Sequence, residues 1–218
     1  LKMNNNNILK GIFCIIIAGF GFALMSLFVK LSGDLPSIQK GFFRNIIAVF
    51  ISSIPLIKHW KVINTPRNNT GWLVLISRSV FGTIGLVLNF YAISHISLAD
   101  SSIIQKLSPF IIIILSYIFF KEEMTRFQVF SIIIAFIGIT LIIKPSGNNI
   151  ISMGALAALL GALCAGIAYT CVRYLGTHNI SGEFIIFFFS SLSSLMLLPY
   201  LILDYRTMTY YQLSMLLL

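Results

Sequence analysis

The chain has 218 residues, 58% of them hydrophobic and 10% charged, with a formal net charge of +9. Soluble domains carry roughly 25% charged residues, and a water-soluble core of this size has no room for so much apolar surface. The cations sit mostly between apolar runs, so the charge reports orientation in a lipid bilayer and argues against nucleic acid as a partner.

Seven runs have membrane-spanning length, against the roughly 20 residues a bilayer requires. They cover residues 8–30, 37–57, 71–94, 98–120, 127–144, 151–175 and 183–203. An eighth begins near Tyr211 and stops at Leu218, too short to cross, so the last helix is expected to be cut off. In lipid a segment must satisfy its own backbone, which makes runs this long helices. The short alternating segments of a membrane barrel are absent. The expected fold class is an all-α polytopic membrane protein.

Before the first run, residues 4–7 are four asparagines and read as a disordered terminus. The first run exceeds a signal-peptide core and lacks a clear cleavage site, so it is helix one. Cys14 lies in it, and Cys164 and Cys171 lie in the sixth run. No disulfide or metal spacing emerges from three cysteines so placed.

Helix two carries Arg44 beside Asn45. The basic, Asn-rich stretch 58–70, with Pro66, reads as an exposed cytoplasmic loop. On helix three Arg78, Gly82, Gly85 and Asn89 share one face, with Arg78 roughly 10 Å into the helix at 1.5 Å per residue. Glycines on such a face let backbones approach or open space beside a cavity. On helix four Ser102, Lys106 and Pro109 share a face, with Ser101, Gln105 and Ser108 nearby. A mid-membrane lysine costs at least about 2.5 kcal/mol on insertion scales and so faces a cavity or a partner. Pro109 frees a backbone carbonyl. For Arg44, Arg78 and Lys106 the alternative is snorkelling to the interface. Stretches 94–100, 121–126 and 145–149 are tight turns.

With the N-terminus inside, the inner segments hold Lys2, Lys10, Lys58, Lys61, Arg67, Lys121, Arg126 and Arg173. The outer segments hold Lys30, Lys40, Lys144 and Arg206, a bias that sets the N-terminus in the cytoplasm. Arg44, Arg78 and Lys106 remain within the spans. The acids are Asp34, Asp100, Glu122, Glu123, Glu183 and Asp204, all expected at helix ends. A positive interior without acid favours an anionic or zwitterionic solute. His59, His95 and His178 are ordinary loop histidines, and the run Phe187-Phe188-Phe189 faces lipid or packs. No catalytic signature is present, and no cofactor or metal is expected.

Residues 11–55 align with 154–199, with one inserted residue. Gly19, Ala23, Ser26 and Lys30 match Ala162, Gly166, Tyr169 and Arg173, each set one helix face ending in a cation. A repeat of five helices reverses its second copy in the membrane, the pattern of secondary transporters with substrate at the repeat interface. The units are 8–144 and the start of a second at 151–218, whose logic leaves about two and a half helices missing.

At these residues the chain resembles the EamA-type branch of the drug/metabolite transporter superfamily. The resemblance rests on Phe28-Val29-Lys30, Pro36 with Phe43-Arg44-Asn45, and Arg78, Gly82 and Asn89-Phe90-Tyr91-Ala92. It continues through Leu98-Ala99-Asp100, Ser108-Pro109, Lys121-Glu122-Glu123 and Gly138 with Lys144-Pro145. It implies ten helices in two inverted five-helix repeats, alternating access and a central cavity for a small metabolite. The candidate cavity residues are Arg78, Asn89, Ser102 and Lys106, with Arg44 as gate or charge partner. The expected surroundings are a small-molecule metabolite, the lipid bilayer and a bacterial cytoplasmic membrane, the last from the Ile-, Asn- and Lys-rich composition. A homodimer is the assembly to test. The rival reading is a non-transporting membrane scaffold or assembly subunit; an intramembrane enzyme lacks any nucleophile–base constellation.

Overall fold

The computed structural model describes residues 5–58, 63–121, 123–143 and 153–217. Among these, every regular element is a helix: α1 (Asn5–Leu31), α2 (Ser37–Lys58), α3 (Asn69–His95), α4 (Leu98–Gln105), α5 (Ser108–Phe120), α6 (Arg126–Ile143), α7 (Met153–Thr177), α8 (Gly182–Leu203) and α9 (Tyr210–Leu217). Six described segments are long and apolar enough to cross a membrane, with Leu98–Phe120 counted as one. The chain is an all-α polytopic membrane protein. α6 runs for 18 residues, Arg126–Ile143, apolar in sequence beyond its first turn. Lys2, His59, Lys61, Glu122, Lys144 and the 145–149 turn lie outside the described residues.

The run 98–120 is not one helix. It breaks at Lys106 and Leu107, whose amides turn tightly onto the carbonyls of Ile103 and Ile104 at 3.0 Å each. Pro109, inside the first turn of α5, has no N–H for the Gln105 carbonyl. The Ser108 hydroxyl replaces it, its single hydrogen shared between Gln105 O at 2.9 Å and Ala162 O of α7 at 3.2 Å. A side chain thus repairs one half of the break and ties it to a neighbouring helix.

α3 packs most extensively on α7, and α2 on α8. Glycine sets the first of these distances. A Cβ on Gly85 would lie 3.2 Å from both the Gly161 carbonyl and the Cys164 Cβ, and one on Gly161 would meet Asn89 N at 3.4 Å. Small residues let two backbones approach where lipid supplies no hydrophobic drive. Ala92, Ile104, Leu107, Ile111, Ala158 and Ala162 continue this core. By contrast Gly11, Gly19 and Gly21 of α1 meet nothing within 4 Å.

The described acids lie at helix ends or in the short connections between helices, and none is mid-helix. Asp100 stands in the first turn of α4 behind the Ser97 cap, Glu183 in the first turn of α8, and Asp204 accepts from Tyr200 Oη at 2.9 Å. Asp34 and Glu123 sit between helices. The loop before α3 is clasped to the α7–α8 turn: Asn64 N donates to Ser181 Oγ at 3.0 Å, and Ser181 N to Asn64 O at 3.1 Å.

Candidate functional site

α2, α3 and α8 bring Arg44, Arg78 and Phe189 together. The Arg78 guanidinium carbon lies 4.2 Å from the centroid of the Phe189 ring, and that of Arg44 lies 6.0 Å from it. Gly82 is one turn beyond Arg78, and the guanidinium occupies the space a side chain there would fill. A Cβ on Gly82 would also come within 2.8 Å of the Phe189 ring. The glycine therefore admits the arginine to the ring, a role that the shared helix face hinted at.

Hydrogen bonding at this centre is incomplete. Arg44 Nη1 donates to Asn45 Oδ1 at 2.8 Å, and Asn45 Nδ2 donates to Ser193 Oγ at 2.6 Å. Arg78 Nε is buried with no partner, as are the hydroxyls of Ser190 and Ser194 on α8. The ionisable neighbours are Tyr169 for both arginines and Cys171 for Arg78; no described carboxylate is among them. Arg44 also lines a cavity of about 220 Å³ whose other walls include Gly21, Leu24, Met25 and Phe28 of α1. Phe189 is buried and seven residues into α8, so neither guanidinium reaches for a helix end.

The other candidates stand apart from this centre. Asn89 Oδ1 accepts from Ser101 Oγ at 3.5 Å, the outer limit of a hydrogen bond, where α3 meets α4. Ser102 and Lys106 are exposed, Lys106 at the break itself. No described hydrogen bond or ring contact joins them to the arginine pair.

Three roles were missed from sequence, those of Lys40, Lys30 and Phe189. Lys40, counted with the outer cations, is wholly buried in α2. Its Nζ donates to Gly33 O at 2.7 Å, and to Val29 O and Ser94 Oγ at 3.2 Å each. Lys30 likewise donates to the carbonyls of Ile93 and Ile96, at the end of α3. Helix ends leave carbonyls without partners, and a lysine one turn before Arg44 on the same face was the available signal. Phe189, assigned to lipid or packing, is the plate on which both arginines rest. Arg173 makes a smaller version of the same contact, 5.5 Å over Phe120, and its Nη1 donates to Ser116 Oγ at 2.7 Å.

A larger cavity, about 340 Å³, opens between the loop before α3 and the end of α7, with Asn64, Arg67, Tyr174 and His178 in its wall. It lies at the helix ends, and none of the candidate residues borders it.

Residues 9–144 match the model of the EamA-like transporter family. The chain is 32% identical over 197 residues to the pseudopaline exporter of Pseudomonas aeruginosa strain UCBPP-PA14, covering 90% of this chain and 68% of that protein. It is 29% identical over 170 residues to a Helicobacter pylori J99 protein named as an uncharacterized transporter, covering 77% of this chain and 56% of that one. It is 28% identical over 178 residues to solute carrier family 35 member G1 of Mus musculus, covering 76% of this chain and 48% of that one. No solved structure matches significantly. The chain thus spans about half to two thirds of the length of these relatives.

Proposed function

Because the chain belongs to the EamA-like transporter family of the drug/metabolite transporter superfamily, we propose that it serves a secondary-active, alternating-access transporter of a small anionic or zwitterionic metabolite. The observation that carries this reading is the pair Arg44 and Arg78, held in the bundle against Phe189 with no described carboxylate beside them. Charged groups within membrane helices pair with one another, with backbone carbonyls, or mark a solute path. Among the described residues these two have neither an opposite charge nor a backbone carbonyl as partner. The name of the pseudopaline exporter supports a small molecule as cargo.

Residues 8–144 form the first five-helix repeat in this reading, and 151–218 begin the inverted second. Arg44 and Arg78 come from the first segment and Phe189 from the second, which is where an inverted-repeat transporter binds its solute. Asn89, Ser102 and Lys106 line the same path farther along α3 and α4. The membrane is the bacterial cytoplasmic one, with the N-terminus inside. Cysteine labelling from outside at position 95, and not at 64, supports that orientation; the opposite pattern reverses it.

The test is uptake in proteoliposomes by the full-length protein, normalised to protein in the membrane. Lys106→Gln and Arg78→Gln are expected to insert normally and lose flux, since removing a membrane cation eases insertion. Wild-type flux in both variants would return these cations to interfacial anchors. Absence of flux for any solute would favour the scaffold reading.

A further inference from the structure

The arginine pair poses an energetic question that the helices alone do not answer. Taking a charged group out of water costs several kcal/mol even after relaxation. A desolvated cation–π contact returns about 2 kcal/mol. Arg78 has that contact at 4.2 Å and no described hydrogen bond. Arg44 has one side-chain acceptor and a longer approach to the same ring. The two guanidinium carbons, each measured to one ring centroid, are within about 10 Å of each other. Two like charges sharing one ring, each within reach of the other's field and with no described acid beside them, are a net debt that an anion would cancel.

We propose that Arg44 and Arg78 form a carboxylate clamp, with Phe189 as the plate that holds both guanidinium planes in place. The proposal rests on the transporter reading and narrows its solute to one bearing a carboxylate. Three features of the geometry support this group. A guanidinium edge presents two parallel N–H donors that match the two oxygens of a carboxylate. The Phe189 ring, 4.2 Å from the Arg78 guanidinium carbon and 6.0 Å from that of Arg44, is an apolar neighbour with no oxygen to accept from their N–H groups. Phosphate takes the same fork, and the hydroxyls of Ser190 and Ser194 on α8 are donors with no described partner, so the phosphate arm of the experiment below separates the two anions. The apolar cavity beside Arg44, about 220 Å³ and walled by Leu24, Met25, Phe28 and Ile47, takes the hydrocarbon part of the solute. Asn45 and Ser193 are positioning residues, since they fix Arg44 from behind. Lys106 stands outside the clamp.

The experiment is phenylglyoxal modification of arginines in the full-length protein, mapped by mass spectrometry, with millimolar succinate, its neutral analogue succinamide, or inorganic phosphate present. Succinate is expected to slow modification of Arg44 and Arg78 at least about fivefold, while Arg67 and Arg126 react unchanged. Succinamide and phosphate should protect much less. Arg44→Gln should remove most of the protection at Arg78, and Phe189→Ala should weaken it at both arginines. Equal protection by succinamide or by phosphate overturns the carboxylate assignment. Failure of either arginine to react under conditions that modify Arg67 overturns it too, because no solute then reaches them. Uptake measured on the same preparation separates the two readings. Flux without carboxylate protection removes the clamp and leaves the transporter. Protection without flux leaves a carboxylate site on a protein that does not transport.

Discussion

Lys30 and Lys40 on one side, and Arg44 and Arg78 on the other, are cation pairs placed in the same bundle and satisfied in opposite ways. The lysines are saturated with oxygen: five acceptors, four of them backbone carbonyls at the ends of α1 and α3, surround the two ammonium groups. Asp34 adds attraction at Lys40. The arginines share one side-chain oxygen and one ring. A lysine so bonded is a cap that joins α1, α2 and α3. Arg78, on a ring with a buried donor left over, has no such set of acceptors among the described residues, and the clamp proposal gives that donor its partner. Burial alone would have ranked Lys40 first as a functional residue; the acceptor count reverses that order.

Substitutions can break this contrast, and the largest effect is expected at Lys40. Lys40→Ala leaves three acceptors without their donor and should cost about 3 kcal/mol, read as a large fall in melting temperature in detergent. Wild-type melting would show that the ammonium is not a structural cap. Lys30→Ala removes two carbonyl contacts from a half-buried site and should cost about 1.5 kcal/mol by the same measurement. A smaller change is expected at the other pair. Arg78→Gln should alter stability by no more than about 1 kcal/mol, in either direction, because it removes a charge that the fold leaves uncompensated. Its flux should fall at least tenfold. A melting loss as large as that of Lys40→Ala would make Arg78 structural and dissolve the distinction. Lys106→Gln should be the mildest: unchanged melting, since the side chain is exposed, with reduced flux as the readout.

The spans were legible because hydropathy over about 20 residues reads the bilayer directly. Arg44 and Arg78 were legible because charge within such a run is rare. What periodicity does not carry is which helix lies opposite. Phe189 is one of three successive phenylalanines, and only the contact of α8 with α2 and α3 separates it from Phe187 and Phe188. Lys40 sits four residues into α2, where a snorkelling lysine is ordinary. Its burial follows from the ends of α1 and α3 folding over it, a non-local event. Pro109 announced a freed carbonyl. The break falls at Lys106 and Leu107 because Ser108 supplies the substitute donor and α7 holds it there.

The clasp between Asn64 and Ser181 sets a clock. Two hydrogen bonds, one in each direction, join the loop before α3 to the α7–α8 turn. Any motion that parts these loops must release both together, at about 1 kcal/mol each. Every 1.4 kcal/mol in a barrier is a factor of ten in rate, so the pair is expected to slow any separation of that end of the bundle by roughly tenfold or more. Ser181→Ala removes one of the two bonds while leaving the backbone of the other intact. The amide at position 181 should then exchange with solvent several times faster, and its exchange rate would time how often that end of the protein opens.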